Sequence, residues 1–91
     1  MKVELTGDYD RMYRSLVVKD GAIKKIVVER IKLFKKNPSD SRLDNHPLRK
    51  RLTEKWAFSV TDDIRIIYRW IGKSTVRFLA IGTHVQLYQK H

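Results

Sequence analysis

Residues 56–80 read WAFSVTDDIRIIYRWIGKSTVRFLA, and this stretch decides the fold. Apolar side chains recur at every second position in three runs, which is the period of β-strands with one buried face. Turn-forming residues separate the runs at 61–63 and at 72–73. The apolar positions are Trp56, Phe58, Val60, Ile64, Ile66, Tyr68, Trp70, Val76, Phe78 and Ala80. Short connections between consecutive strands predict a three-stranded antiparallel meander.

The first forty residues contain one strand-like stretch and then change to the spacing of helices. Residues 3–5 alternate between apolar and polar and predict a short first strand. Apolar residues between 12 and 17 recur at helical spacing, and we expect Asp8 or Asp10 to cap this helix. A second helix is predicted over residues 22–36. Its apolar stripe consists of Ile23, Val27, Ile31 and Phe34, joined by Ile26.

The predicted element order is β-α-α-β-β-β, which is typical of an α+β domain. We expect the two N-terminal helices to pack on one face of a mainly antiparallel four-stranded sheet. No linker, internal repeat or low-complexity tract interrupts the 91 residues, and a chain of this length has room for one core. Residues 1–91 are therefore predicted to form a single domain.

The composition is strongly basic, because 20 Lys and Arg against 10 Asp and Glu leave a formal charge of +10. Residues 21–55 alone carry eleven basic and four acidic side chains, a net charge of +7. A positive field of this size attracts polyanions, and nucleic acid is the commonest large polyanion of a cytoplasm. An acidic protein partner and a plain solvated lysine-rich helix face are the alternatives.

Missing residue types and motifs exclude several classes of site. The chain has no cysteine, which excludes disulfides, thiolate zinc sites and a cysteine nucleophile. The sequence contains no P-loop, dinucleotide-binding fingerprint or zinc-ligand spacing. It also lacks both a signal peptide and an apolar run of about 18 residues. We therefore expect a cytoplasmic protein with no membrane partner, no metal and no small-molecule cofactor.

The predicted hairpin brings candidate catalytic residues to one end of the sheet. If the last two strands pair through the turn at 71–74, facing residue numbers sum to about 145. Arg65 then faces the neighbourhood of Ala80, and Asp63 lies near Gly82 at the same end as His84. Arginine binds phosphate as a planar fork, and histidine is the usual proton donor or acceptor at neutral pH. These residue types together are compatible with a ribonuclease site.

Each candidate residue also has a purely structural interpretation. Arg65 on an exposed strand can be the ion-pair partner of Asp62 or Asp63, whose own side chains can bond to the turn backbone. His84 can be a plain loop residue, and His46 in an Asn-His-Pro turn can be merely solvated. The residues alone leave both interpretations open.

Four segments stand out as a set: HPLRKRL at 46–52, WAFSV at 56–60, DDIRIIY at 62–68 and VRFLAIGTHVQLY at 76–88. Together they resemble the RelE/ParE superfamily of bacterial and archaeal toxins of type II toxin-antitoxin systems. Members of the RelE, YoeB and YafQ branches are messenger-RNA endonucleases that act mainly in the ribosomal A site, whereas ParE members poison DNA gyrase. The resemblance implies a RelE-like fold and a metal-independent mRNA interferase. A gyrase poison and a catalytically inactive RNA-binding or ribosome-binding homologue are the alternatives.

The resemblance also implies catalytic roles for five residues. Arg65 matches the arginine that these nucleases use on the scissile phosphate, and His84 matches their C-terminal catalytic position. His46 stands where YafQ-like members have a histidine, which suggests base and acid roles for the two histidines. Asp63 matches the aspartate before the strand. Tyr88 matches a terminal aromatic that is suited to stacking on a base.

Two positions depart from the YafQ-like pattern, and further residues are expected to bind RNA. Ser59 replaces a histidine and Ile64 a tryptophan, which leaves the division of labour between the two histidines open and permits an attenuated enzyme. The basic loop is expected to contact RNA through Arg49, Lys50, Arg51 and Lys55. The implied partners are the ribosome with its messenger RNA and a cognate antitoxin protein.

Overall fold

The structure, a computed structural model, describes residues 1–48 and 54–88. Its elements in chain order are β1 (Lys2–Leu5), α1 (Gly7–Lys19), α2 (Ile23–Lys36), β2 (His46–Pro47), β3 (Trp56–Ser59), β4 (Ile64–Trp70), β5 (Thr75–Thr83) and α3 (His84–Tyr88). A single 3-10 turn over Ser41–Leu43 precedes β2. Within these ranges no helix has the length and apolarity needed to cross a bilayer.

The strands form one mixed sheet in the order β1-β5-β4-β3-β2. β1 runs parallel to β5, and every other neighbouring pair is antiparallel. The α+β class and the meander of the last three long strands are therefore confirmed, whereas the prediction of four strands is wrong. The fifth strand, His46–Pro47, pairs with Trp56 and Ala57 at the edge of the sheet. Two residues are too short to show a period, and proline is tolerated only at such an edge.

The register of the last hairpin differs from the prediction by one to two residues. Arg65 faces Gly82, and beyond a bulge at Ile67/Tyr68 the pairing shifts so that Tyr68 faces Phe78. Facing numbers thus sum to 147 and then 146, instead of 145. The pairing next to the turn already sums to 146, at Trp70 and Val76, and the bulge at Ile67/Tyr68 adds the second residue.

The turn before β4 is held by a threonine hydroxyl. Thr61 Oγ1 accepts hydrogen bonds from the backbone N–H groups of Asp63 and Ile64, at 3.3 and 3.0 Å. The neighbouring carboxylates are exposed. Among the described hydrogen bonds, neither the Asp62 nor the Asp63 side chain accepts from the turn backbone. The interpretation that these carboxylates bond to the turn is therefore wrong.

Helix α1 begins one residue after a threonine cap. The backbone N–H of Tyr9 donates to Thr6 Oγ1 at 3.1 Å, and the same hydroxyl donates to the carbonyl of Phe78 at 2.9 Å. The prediction of Asp8 or Asp10 as the cap is wrong. Both aspartates lie in the first turn, where their charges favour the positive end of the helix dipole.

One face of the sheet carries the main core, which the helices cover. The apolar stripe of α2 is confirmed for the buried residues Ile23, Val27 and Phe34, whereas Ile26 is exposed and lies outside it. Phe34 stacks on Phe58 with ring centroids 4.4 Å apart and meets Tyr68 edge-on at 4.8 Å. Buried aromatic pairs of this kind contribute about 0.5 to 1.5 kcal/mol beyond the burial of their area. We call this side of the sheet the α2 face.

The other side of the sheet carries a smaller apolar cluster. Ala57 and Ile67 point to this side because neighbouring residues on a strand alternate between faces. Leu87 of α3 packs on them, and all three are buried. We call this side the α3 face.

Candidate active site

One row of residues crosses β3, β4 and β5 on the α3 face. Ser59 faces Arg65, and Arg65 faces Gly82. Directly facing residues in antiparallel strands point to the same side of the sheet. Since Arg65 lies two positions before Ile67, its side chain emerges on the α3 face.

The Arg65 side chain is half-buried and held by two oxygen atoms. One guanidinium nitrogen donates a hydrogen bond to Ser59 Oγ, and the other lies 3.5 Å from the carbonyl oxygen of Asp62. Among the five ion pairs of residues 1–48 and 54–88, none includes Arg65. The structural interpretation of Arg65 as a salt-bridge partner of Asp62 or Asp63 is therefore not observed, and its charge is available to an anion.

Helix α3 places His84 and Tyr88 beside this row. His84 is exposed and is the first residue of α3, two positions after the glycine that faces Arg65. Its backbone N–H donates to the carbonyl of Asp63 at 3.0 Å. Residues four apart lie on the same side of a helix, and the rings of His84 and Tyr88 have centroids 4.5 Å apart.

The Tyr88 phenol is kept neutral by its surroundings. Burial raises the pKa of Tyr88 above its ordinary value, and the positive charge of Arg65 acts in the opposite direction. Tyr88 packs against the apolar cluster of the α3 face, and it lies close enough to Arg65 for the guanidinium charge to act on its pKa. A neutral phenol can donate a hydrogen bond, and its ring can stack on a base.

His46 shares the α3 face but lies apart from Arg65. It faces Ala57, which faces Ile67, so its side chain points to the same side as Arg65. The register separates His46 and Arg65 by two strands, about 10 Å, and by two residues along the strands, about 7 Å. The structure thus brings Arg65, His84 and Tyr88 together, and it places His46 on the same face of the sheet but not beside Arg65.

The tautomer of His46 is fixed by the backbone. Its Nδ1 lies 2.7 Å from the carbonyl oxygen of Asp44. Because a carbonyl only accepts, Nδ1 carries the proton and Nε2 of the neutral ring is left as an acceptor. The preceding Asn45 is held by Tyr68 Oη at 2.7 Å and donates to the carbonyl of Pro38 at 3.1 Å. These bonds anchor the segment that presents the His46 ring.

The remaining predicted site residues contribute less to this geometry. The Asp63 side chain is exposed, and its contact with the site is the backbone bond to His84. Lys55 is half-buried, and its carbonyl accepts from the N–H of Leu48 at 2.7 Å beside β2. The predicted RNA-binding residues Arg49, Lys50 and Arg51 lie outside the described residues. In the part of the chain that is described, no group of three His, Asp or Glu residues could hold a metal ion.

The family model described as "Bacterial toxin of type II toxin-antitoxin system, YafQ" matches residues 1–89. The chain belongs to this YafQ toxin family. The predicted membership of the RelE/YoeB/YafQ-like toxins is thereby confirmed. No curated protein matches the sequence.

Solved structures of such toxins share the fold of this YafQ-family chain. YafQ from Escherichia coli strain BL21(DE3) superposes with a TM-score of 0.80 at 21% identity, covering 96% of this chain and 97% of that one. A YoeB/ParE toxin from Agrobacterium tumefaciens gives 0.77 at 20% identity, covering 92% and 99%. YafQ in the E. coli DinJ-YafQ complex gives 0.70 at 22% identity, covering 96% and 97%.

Sequence reasoning missed two contacts of this YafQ-family site. Ser59 was noted only as a departure from the family pattern, yet its hydroxyl holds Arg65. If the register between β3 and β4 had been predicted without error, Ser59 would have been placed opposite Arg65. Gln86 was not singled out, although Thr83 and Gln86 have the spacing of a helix capping box.

Proposed function

We propose that this YafQ-family toxin is an endoribonuclease that cleaves messenger RNA on the ribosome. The single observation that carries the proposal is the cluster of Arg65, His84 and Tyr88 on the α3 face, in which the guanidinium has no ion-pair partner among the described residues. A free guanidinium beside an exposed histidine suits a phosphodiester, because it can bind the phosphate while the imidazole transfers a proton.

The proposed reaction uses the 2′-hydroxyl of the RNA as the nucleophile. A base removes its proton, the oxygen forms a bond to phosphorus, and the bond from phosphorus to the 5′-oxygen breaks. An acid protonates that 5′-oxygen. The products are a 2′,3′-cyclic phosphate on one fragment and a 5′-hydroxyl on the other, so atoms and charge balance without an added reagent.

We assign His46 as the base, His84 as the acid and Arg65 as the cation that stabilises the phosphorane-like transition state. Tyr88 stacks on a base or orients the substrate, and Asp63 supports His84 through its backbone. The acceptor Nε2 of His46 suits a base. A positioned acid or base contributes about 10² to 10⁴ in rate, and a preorganised donor about 10² to 10³.

The different roles assigned to the two histidines are testable by the pH profile of cleavage. The low-pH limb of a bell-shaped profile reports the base, and the high-pH limb reports the acid. His46→Gln should therefore remove the low-pH limb, and His84→Gln should remove the high-pH limb. The reverse pattern would exchange the two assignments, whereas an unchanged limb would remove that histidine from the mechanism.

The basic surface is proposed to hold RNA by its phosphates. The α2 lysines are exposed, and within residues 1–48 and 54–88 none of them forms a salt bridge. They are Lys24, Lys25, Lys32, Lys35 and Lys36. Together with Arg49, Lys50, Arg51 and Lys55 they would neutralise phosphates and release counterions. Ribosome binding should then weaken as salt rises. The slope of log K against log salt is negative, and it should become shallower by about 0.7 to 0.9 for each phosphate contact removed.

The proposed protein partner is a cognate antitoxin. The solved DinJ-YafQ complex is a precedent for that relative. A chain with a formal charge of +10 would suit an antitoxin with an acidic or amphipathic segment that covers the site or its approach. Coexpression of the antitoxin should suppress toxicity, and persistent toxicity with both proteins present would contradict the pairing.

Primer extension on a defined messenger RNA in a purified translation system tests the proposed activity. Wild type and His84→Gln are compared, with ribosomes omitted in one arm. We expect cuts that need both the ribosome and His84. Intact RNA in every arm would contradict the proposal; inhibited supercoiling would then support a gyrase poison, and ribosome binding without cleavage a catalytically inactive homologue.

A further inference from the structure

Helix α3 begins with two reciprocal hydrogen bonds. The backbone N–H of Thr83 donates to Gln86 Oε1 at 2.9 Å, and the backbone N–H of Gln86 donates to Thr83 Oγ1 at 3.1 Å. This is the capping box, in which the cap residue and the third helical residue each satisfy a backbone donor of the other. The box lies between the end of β5 and the two aromatic rings of the proposed site.

The geometry of α3 depends on such bonds because the helix is very short. It spans the five residues His84–Tyr88. A helix of about one turn is not stable by its own backbone bonds, since nucleation is unfavourable. Besides the capping box, α3 is held by the bond from the His84 N–H to Asp63 and by the burial of Leu87. The burial of Leu87 fixes the helix to the sheet, while the capping box fixes where its first turn begins.

Gly82 connects the capping box to the row of Arg65. A Cβ atom at position 82 would lie 2.7 Å from Gln86 Oε1, closer than van der Waals contact permits. Gly82 also faces Arg65 in the sheet register. Because Gly82 has no side chain, the Gln86 amide has room to cap the helix at this point. The cap therefore lies beside the row of residues that contains Arg65.

We infer that Thr83 and Gln86 are positioning residues of the proposed active site. Through the capping box they fix the first turn of α3, and thereby hold the His84 ring against Tyr88 on the side of the sheet where Arg65 emerges. The consequence for RNA cleavage depends on the function proposed above. The consequence for the contact between the two rings is independent of that function.

Three variants test the role of Gln86. Gln86→Met keeps the length of the side chain and removes the acceptor oxygen, whereas Gln86→Glu keeps an acceptor. Val85→Ala is the matched control, because Val85 is exposed in the same helix and makes no part of the capping box. The readouts are the nuclear Overhauser effect between the His84 and Tyr88 rings in solution, and kcat and KM for cleavage on ribosomes.

We expect Gln86→Met to lose the ring-to-ring effect and to lower kcat by about 10-fold to 10²-fold with little change in KM, because small misplacements of reacting groups have costs of this size. Gln86→Glu should restore the ring-to-ring effect, and Val85→Ala should resemble wild type in both readouts. Retention of the ring contact and of kcat in Gln86→Met would overturn the inference. Failure of Gln86→Glu to restore the ring-to-ring effect would overturn it as well.

The pair Thr83→Val and Thr83→Ser repeats the test from the other side of the capping box. Valine removes the hydroxyl acceptor and serine keeps it, so the ring contact should be lost in the first and kept in the second. This pair decides the inference if Gln86→Met does not fold. If wild type cleaves no RNA, the proposed function fails, while the ring contact in these variants still supports or overturns the positioning role.

Discussion

The two faces of the sheet differ in what they bury. On the α2 face, Phe34, Phe58, Tyr68 and Phe78 are fully buried against one another and the helices. On the α3 face the buried cluster consists of an alanine, an isoleucine and a leucine. Around this cluster lie polar residues that carry a charge or can transfer a proton. The difference indicates that folding stability comes mainly from the first face, which leaves the second free to carry chemistry.

This separation has a physical reason. A guanidinium placed among packed aromatic rings would be desolvated and would need a charged partner, and an imidazolium there would lose its proton. At the thinly covered face Arg65 remains half-buried and unpaired among the described residues, and His84 remains exposed. Substitutions on the two faces should therefore separate into losses of stability and losses of activity.

The largest effect on stability is expected for Phe58→Ala on the α2 face. Phe58 is fully buried and stacks on Phe34. Removing such a ring lowers the free energy of unfolding by about 3 to 5 kcal/mol, a large share of the stability of a small domain. Urea denaturation followed by circular dichroism measures it. A loss below about 1 kcal/mol would contradict the assignment of the main core to this face.

The largest effect on activity is expected for Arg65→Gln on the α3 face. Removing the cation that meets the phosphate should lower the cleavage rate by about 10² to 10³. The unfolding free energy should change by less than about 1 kcal/mol, because the side chain is half-buried and has no ion-pair partner among the described residues.

Arg69→Gln is the matched control for that variant. Arg69 lies on the same strand, is exposed and pairs with Glu54 at 3.6 Å. An exposed pair of this kind contributes at most about 1 kcal/mol, so both the cleavage rate and the stability should stay near wild type. Equal losses of activity in the two variants would mean that general positive charge, and not the position of Arg65, governs cleavage.

An intermediate effect is expected for Leu87→Ala, which tests the α3 face as a packing surface. Leu87 is buried on Ala57 and Ile67. Its truncation should cost about 2 kcal/mol, the lower end for a buried leucine, because the surrounding cluster is small. Hydrogen exchange should show the loss concentrated in α3. A cost equal to that of Phe58→Ala would contradict the proposed difference between the faces.

The smallest effect is expected for Tyr68→Phe, and it depends on pH. Burial raises the pKa of Tyr68 to about 12 from an ordinary value of 10.0. Its stabilising contribution is therefore complete below pH 10 and is lost as the pH rises toward 12, since the unfolded phenol ionises first. At pH 7 the variant should lose about 1 kcal/mol with the bond to Asn45.

Denaturation of both proteins at pH 7 and at about pH 11 checks this dependence. Wild type should lose about 1 kcal/mol more than Tyr68→Phe between the two pH values. Tyr9, whose pKa is also raised by burial, contributes to the alkaline loss in both proteins and cancels in the comparison. Identical alkaline losses would contradict a buried Tyr68.

Much of the α2 face could be predicted from the sequence, whereas the cap of α1 and the edge strand could not. Alternation in 56–80 and the stripe of α2 follow from burial on one side, so they are visible as periods of 2 and 3.6. The cap by Thr6 was missed because its hydroxyl is oriented by a carbonyl of β5, which is distant in sequence. The edge strand His46–Pro47 is too short to have a period.

The candidate site was predicted in its residue types but not in its spacing. Arg65 and His84 were expected at one end of the sheet, and the structure has them there. The hydrogen bond from Arg65 to Ser59 depends on a register correct to one residue, and an error of one position moves a side chain to the other face. The distance between His46 and Arg65 likewise depends on pairings across two strands.

The most direct test of the account is the chemistry at the two ends of the cut RNA. Fragments made by wild type on ribosomes would be analysed for their terminal groups, with His84→Gln as the comparison. Attack by the 2′-hydroxyl predicts a 2′,3′-cyclic phosphate and a 5′-hydroxyl in wild type, and a loss of these fragments by about 10² or more in the variant. A 5′-phosphate with a 3′-hydroxyl, or the same fragments at the wild-type rate from His84→Gln, would contradict it.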